Sequence, residues 1–277
     1  MLLLAHAAFP GRFAVATVNH GLRSEAAAEC ALVQQVCADR GIDCTVLTVS
    51  VSPGNVQAQA RAARYAALAQ WAVDHRLAAL ATAHQADDQI ETVLMRLARG
   101  SGVAGLAGVR EKGLVPGSTV PLVRPMLGIA RAECEAVAMA AGIDWVRDPS
   151  NQDRRFDRVR LRQALAGNAL LSPERIAASA AACADADAAL EWAADREWAG
   201  QVDLLGGTIR YRAQAPRAIA MRVAARAVAE LGGGLRGSQA AELVDMLAAD
   251  GRGNVGGVLA WADAGEWHFT AEPPRRA

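Results

Sequence analysis

The sequence predicts an α/β chain: a doubly wound, mainly parallel sheet over residues 1–166, then a smaller helical or α+β domain over residues 167–277. Three observations carry this. Apolar strand-like runs alternate with helix-like stretches through the first half, the order a parallel sheet requires. The alternation stops near Ala166, and Pro173 opens a long alanine-rich run instead. A chain of 277 residues with 52% apolar content can also fill two modest cores.

Phe13 to Val18 is the first visible apolar run and reads as a strand. Ser24 caps a helix to about Arg40, with Glu25 adding charge to its first turn and Gly41 ending it. Cys44 to Val51 is a second strand, Asn55 caps a long helix to about His75, and Leu77 to Ala81 is a third strand. His84 to Arg99 is the next helix, and the glycine-rich stretch Gly100 to Gly117 is expected to loop over a ligand. Val120 to Val123 reads as a strand and Ile129 to Ala141 as a helix. The second half holds a helix from Pro173 to about Trp198 and a hairpin from Val202 to Tyr211 turning at Gly206-Gly207. Helices near Pro216–Leu231 and Ser238–Ala248 follow, then a strand pair near Val255–Trp261 and Glu266–Phe269.

Composition bounds the function. No run approaches the roughly 20 apolar residues of a membrane span, and the first residues lack the basic start of a signal peptide. A soluble cytoplasmic protein is expected, with no membrane and no evident protein partner. The five cysteines (Cys30, Cys37, Cys44, Cys134, Cys183) contain no C-x-x-C pair, which argues against a disulfide framework or a zinc site. Net charge is zero, so the whole chain exerts no strong pull on nucleic acid. Charge is clustered, however. Between Arg147 and Arg162 six arginines face three aspartates. That pattern fits either a solvated helix with paired charges or a strip that tracks RNA phosphates.

The stretch from Leu80 to Gly102 is the most informative. His84, Asp88 and Glu91 recur at i, i+4 and i+7, one face of a helix, with Asp87 beside them. An imidazole and two carboxylates would then be aimed beyond a strand's carboxyl end, where open α/β sheets bind ligands. The preceding helix carries Gln57, Arg61 and Arg64 at the same spacing, and two guanidinium groups there suit a transferring phosphoryl group. Asn19-His20-Gly21 closes the first strand at a turn that a nucleotide can touch. Gly100-Ser101-Gly102-Val-Ala-Gly105 matches the dinucleotide fingerprint only formally, because it follows a helix rather than a strand. It can still offer backbone N–H groups to phosphate. A two-metal hydrolytic site would need more histidines in convergent positions, and His6, His75 and His268 show no such spacing.

Several segments, in order, resemble the tRNA(Ile)-lysidine synthetase family of the PP-loop (N-type) ATP pyrophosphatase superfamily. They are Asn19-His20-Gly21-Leu22-Arg23; Gln57-Ala-x-Ala-Arg61-x-x-Arg64-Tyr65; and His84-x-x-Asp87-Asp88-Gln-x-Glu91-Thr92 with Arg99-Gly100-Ser101-Gly102. Arg124-Pro125, Trp145-x-x-Asp148-x-Ser150-Asn151 and Arg158-x-Arg160-x-Arg162 continue the match over roughly residues 12 to 165. The resemblance implies ATP-dependent ligation of free L-lysine to C2 of the wobble cytidine of tRNA(Ile) with a CAU anticodon, through an adenylated base. It also implies roles: Arg64, His84, Asp88 and Glu91 in catalysis; His20, Gly21, Arg61, Arg99, Gly100, Ser101 and Gly102 on ATP and its phosphates; Asp87 on Mg²⁺. Arg124, Asn151, Arg158, Arg160 and Arg162 would bind tRNA, together with the second domain. A tRNA thiolation enzyme of the same superfamily and a noncatalytic RNA-binding remnant are the competing readings. The lack of a C-x-x-C pair weighs against thiolation.

Three departures stand out. Val159 takes a position where the family usually has asparagine, and Arg147 one that is usually acidic. The superfamily also opens on a central strand and a Ser-Gly-Gly-x-Asp-Ser loop that grips pyrophosphate, and no such motif occurs in these 277 residues. Met1 to Ala8 looks like the helix that follows it. The expectation is a chain that starts downstream of its true N-terminus and, as written, binds ATP poorly and is unstable.

Overall fold

The computed structural model describes residues 1–21, 25–50, 56–145, 157–165 and 172–272. Chain contacts divide it into two units, residues 1–184 and 185–277.

The first unit follows the alternation read from the sequence. Helix α1 (Leu2–Ala8) leads to strand β1 (Val15–Asn19), helix α2 (Ala26–Ala38) and strand β2 (Cys44–Thr48). Helix α3 (Val56–Asp74) leads to strand β3 (Leu80–Ala81) and helix α4 (Ala86–Leu97). The stretch expected to be one long loop instead holds the short helix α5 (Val103–Leu106) and strand β4 (Lys112–Leu114). β4 forms an antiparallel pair with β5 (Pro121–Val123), whose strand character supplies an edge for the glycine-rich segment to join. Helices α6 (Arg131–Ala140) and α7 (Asp157–Leu165) complete the unit, and α8 (Pro173–Gln201) starts in it. The caps expected at Ser24 and Asn55 lie outside the described residues.

The parallel pairing is present but divided. β1 and β2 form one parallel pair in register Val15–Cys44 to Asn19–Thr48. β3 and β5 form another, Leu80–Leu122 and Ala81–Val123, with β4 at its far edge. Among the described residues no strand joins β1 to β3, so one expected sheet is two. A common core nevertheless unites them. Tyr65, Leu68, Trp71 and Ala72 of α3 cluster with Leu80 and Leu122 from one sheet, and Ala16, Val18 and Leu47 from the other pack against them. Trp71 Nε1 also donates to Thr45 Oγ1 at 3.3 Å, fastening α3 to β2.

The second unit is α+β. Strands β6 (Val202–Leu205), β7 (Thr208–Tyr211), β8 (Arg252–Val255), β9 (Val258–Asp263) and β10 (Glu266–Ala271) form an antiparallel sheet in the order β6-β7-β10-β9-β8. The hairpin turn falls where the sequence puts it. Gly206 and Gly207 have φ of +53° and +94°, the left-handed pair that a two-residue turn between twisted strands demands. Helices α9 (Arg217–Glu230) and α10 (Gln239–Ala248) bury Val223, Ala224, Val228 and Leu247 with Ile209, Tyr211, Val258 and Phe269 of the sheet. Arg222 bridges Asp187 (2.6 Å) and Glu191 (2.7 Å), tying α9 to α8. Phe269 is fully buried. Phe269→Ala is expected to destabilise this unit by about 3–5 kcal/mol, the combined loss of apolar burial and a residual cavity. Denaturant unfolding of the second unit's tryptophan signal would measure it.

Candidate active site

The site is built where two parallel strands end. β3 stops at Ala81 and β5 at Val123, and the Thr82 N–H donates to Val123 O at 3.0 Å, closing the pair. His84 follows in the connection to α4. It is not on the helix, as its spacing suggested. α4 begins at Ala86, because Gln85 is its N-cap in an extended conformation (φ −124°, ψ 176°). The His84 ring is instead held by Thr82, whose Oγ1 stands 2.9 Å from His84 Nδ1. Asp88 and Glu91, three residues apart on α4, still share a face.

Each acid has a distinct local setting. Asp88 Oδ2 accepts the N–H of Gln85 at 3.0 Å, which caps the helix. Asp87 Oδ2 accepts the N–H of Arg131 at 2.9 Å, across 44 residues, so it pins the first residue of α6. Ala86 N–H donates to Ile129 O at 3.0 Å and strengthens the same junction. Glu91 is buried. Among the described residues no three His, Cys, Asp or Glu side chains are grouped to hold a metal ion.

Cations meet this end of α4 from two other elements. Arg61 and Arg64 of α3 lie with their guanidinium carbons 5.0 and 5.4 Å from the ring centre of the buried Tyr65. Arg124 comes directly after β5, its Nη1 donating to Arg110 O at 2.7 Å. Its Nε is buried with no partner among the described residues. Burial pushes the His84 imidazole below its ordinary pKa. Arg124 pushes it further down, Asp88 opposes, and Arg61 and Arg64 add to the depression. Burial and the three guanidinium groups therefore favour the neutral ring over the charged one, with one carboxylate opposing them. Such a cluster can hold an anion and keep an uncharged ring beside it.

The residues expected after α4 lie at its other end. The twelve residues of α4 span about 18 Å, so Arg99, Gly100, Ser101 and Gly102 sit beyond its opposite end. Arg99 and Arg160 both pair with Asp157 of α7. The loop after α4 is sewn to the helix. Arg96 Nη1 donates to Gly105 O (2.8 Å) and Gly108 O (3.0 Å), and Gln89 Oε1 accepts from Val109 N (2.6 Å). Gly108 has φ +64°, where an L side chain is strained, and a Cβ there would fall 2.5 Å from Gln89 Oε1 and displace the amide that binds Val109. At the end of β1, the Gly21 N–H donates to Asn19 Oδ1 at 2.9 Å, and the buried His20 Nδ1 has no partner among the described residues. Asn151 and the side chains of Gln57, Arg158 and Arg162 lie outside the described residues. Sequence reasoning missed Thr82, Gln89, Arg96 and Arg131, whose roles depend on partners brought in by folding. A cavity of about 440 Å³ lies elsewhere, lined by Leu2, Leu32, Val36, Ile143 and Trp145, and involves none of the expected site residues.

The PP-loop domain family matches residues 2–169. The tRNA(Ile)-lysidine synthase of Novosphingobium aromaticivorans is 45% identical over 281 residues, covering 100% of this chain and 86% of the relative. The chain belongs to the tRNA(Ile)-lysidine synthase family. The corresponding protein of Zymomonas mobilis is 35% identical over 94% of this chain and 81% of its own length. Membership in the lysidine synthase family makes the chain a ligase with an ATP-binding PP-loop domain. Among solved structures, the U34-tRNA thiolase NcsA from Methanococcus maripaludis, with its [4Fe-4S] cluster, superimposes with a TM-score of 0.52. It covers 65% of each chain at 18% identity, a likeness of fold. Among the described residues no helix is long and apolar enough to cross a membrane.

Proposed function

We propose that this ligase joins free L-lysine to C2 of the wobble cytidine of tRNA(Ile) with a CAU anticodon, at the cost of one ATP. The observation that carries the reading is the set Arg61, Arg64, His84, Asp88 and Arg124 at the carboxyl ends of β3 and β5, in a chain of this family. The cytidine O2 attacks the α-phosphorus of ATP and pyrophosphate leaves, giving an adenylated base. The lysine ε-amine then adds to C2, loses a proton, and AMP departs with the former O2.

The residues divide the work. Arg64 meets the negative charge that builds on the α-phosphate, with Arg61 beside it, because preorganised cations act most strongly where water is excluded. His84, kept neutral, hydrogen-bonds a phosphate oxygen or the base. Asp88 and Glu91 hold the lysine ammonium and accept the proton that makes it a nucleophile. Mg²⁺ keeps most of its ligands as water and phosphate, so one or two carboxylate oxygens suffice. The Asp87 oxygen not used by Arg131 would hold it, and the ion would supply neutralisation of the triphosphate charge. His20 and Gly21, and Arg99 to Gly102, would bind other parts of ATP. Arg124, Asn151, Arg158, Arg160 and Arg162, with residues 167–277, would hold the anticodon arm, leaving residues 1–166 for catalysis. Arg124 also acts on His84, which supports a place for it in the catalytic cluster. The substrates make the protein cytoplasmic.

Incubating the full gene product with tRNA(Ile), radiolabelled lysine and ATP tests this. Lysine is expected to enter the tRNA with release of AMP and pyrophosphate, and to be excluded by a tRNA lacking cytidine at the wobble position. RNA binding without lysine incorporation would overturn the ligase reading in favour of a noncatalytic binder.

A further inference from the structure

Thr82 is the first residue beyond β3, and its backbone bond to Val123 fixes it between two strand ends. Its hydroxyl contacts Nδ1 of His84 at 2.9 Å, so Nε2 is the ring nitrogen left for the site. A hydroxyl both donates and accepts, so the contact alone admits either neutral tautomer. The surroundings decide between them. Arg61, Arg64 and Arg124 act on the ring, and Asp88 is the acid that opposes them. Guanidinium groups have no acceptor lone pair, and the phosphate oxygens they attract only accept. A ring that binds such an anion beside the arginines must offer an N–H from Nε2, which requires Nδ1 to accept.

We propose that Thr82 is a positioning residue: its hydroxyl donates to Nδ1 of His84, holds the imidazole in the Nε2–H form, and makes it a hydrogen-bond donor to a substrate phosphate oxygen. The burial and arginine field that favour the uncharged ring give this contact its importance. A doubly protonated ring would donate from both nitrogens whatever Thr82 did. A neutral ring donates from one, and its neighbour chooses which. No proton is transferred by Thr82 itself.

The inference rests on the proposed use of this cluster for ATP, so its test has one arm independent of catalysis. The full gene product is labelled with ¹³C,¹⁵N-histidine, and the His84 signal is identified by its loss in His84→Asn. The ring-carbon and ring-nitrogen shifts separate the two neutral tautomers. The parent and Thr82→Ser are expected to show the Nε2–H form, and the isosteric Thr82→Val to lose it. In the lysine-incorporation assay, Thr82→Val is expected to lower kcat about 10–100-fold, by analogy with the partners that orient metal-ligating histidines, with Thr82→Ser within about threefold of the parent. An Nδ1–H ring in the parent, or an unchanged Nε2–H ring in Thr82→Val, overturns the proposal whatever the activity. A changed tautomer with unchanged kcat removes the catalytic consequence. The expected tautomer shift in a protein that incorporates no lysine sinks the ligase reading and upholds the positioning role.

Discussion

Arg64→Ala is expected to slow adenylation of the tRNA by about 10²–10³-fold, the usual consequence of removing one preorganised donor from a developing oxyanion. α3 places Arg61 and Arg64 beside a ring it cannot move, because Tyr65 is buried in the core shared by both sheets of the first unit. The two cations therefore have a fixed neighbour before substrate arrives. Removing the Arg64 guanidinium leaves Tyr65 and the helix in place, so the loss is one of charge and not of fold. Each cation–π contact contributes only about 0.5–1 kcal/mol at an exposed position, while a 10²-fold rate loss corresponds to about 2.7 kcal/mol. A large kinetic effect with a small change in stability is the signature. Single-turnover release of pyrophosphate from the enzyme–tRNA complex measures it directly. Arg64→Lys restores a charge but not the planar fork, and is expected to recover only part of the rate. An unaltered rate in Arg64→Ala would place the phosphate site elsewhere.

Asp88→Asn is expected to reduce lysine transfer by about 10²-fold or more while leaving tRNA affinity within about twofold. The choice of asparagine follows from geometry. Asp88 has two duties: its Oδ2 caps α4 by accepting the Gln85 N–H, and its charge acts on His84. Asparagine keeps an acceptor oxygen for the cap and abolishes the charge. The stability cost is then the lost charge–dipole attraction in the first turn, about 0.3–1 kcal/mol. Asp88→Ala loses the cap as well, about 1 kcal/mol more. If the carboxylate binds the lysine ammonium and takes its proton, the asparagine variant accumulates adenylated tRNA that a high concentration of lysine discharges slowly. If Asp88 serves only as a cap, Asp88→Asn transfers lysine at the parent rate and only the alanine variant is impaired, through stability.

The two residues differ in how visible their roles are in the chain. Arg61 and Arg64 recur at helical spacing, and α3 forms within the segment read as a helix from Asn55 to about His75. Asp88 is equally well placed by spacing, since α4 forms around it. His84 misled the same reasoning. Its i, i+4, i+7 relation to Asp88 and Glu91 suggested a shared helix face, yet the helix starts two residues later, and a side-chain contact with Thr82 fixes the ring. Asp87 and Asp88 are neighbours in sequence but cap different helices, one at α6 and one at α4. The glycine loop after α4 was legible as a loop, but the Gln89 and Arg96 bonds that hold it, and the strand β4 within it, were not.

By itself the sequence determined the alternation of helix and strand, the glycine turns of the second unit, and the family motifs with their order. These depend on residues within a turn or two of one another, where backbone geometry and apolar periodicity act locally. Only the tertiary structure decided that β3 and β5 end side by side, that Arg124 joins Arg61 and Arg64 around His84, and that Asp87 reaches Arg131. The physical reason is that strand order and side-chain convergence are set by which apolar faces bury together. That choice is made by the whole unit, and no short stretch of chain contains it.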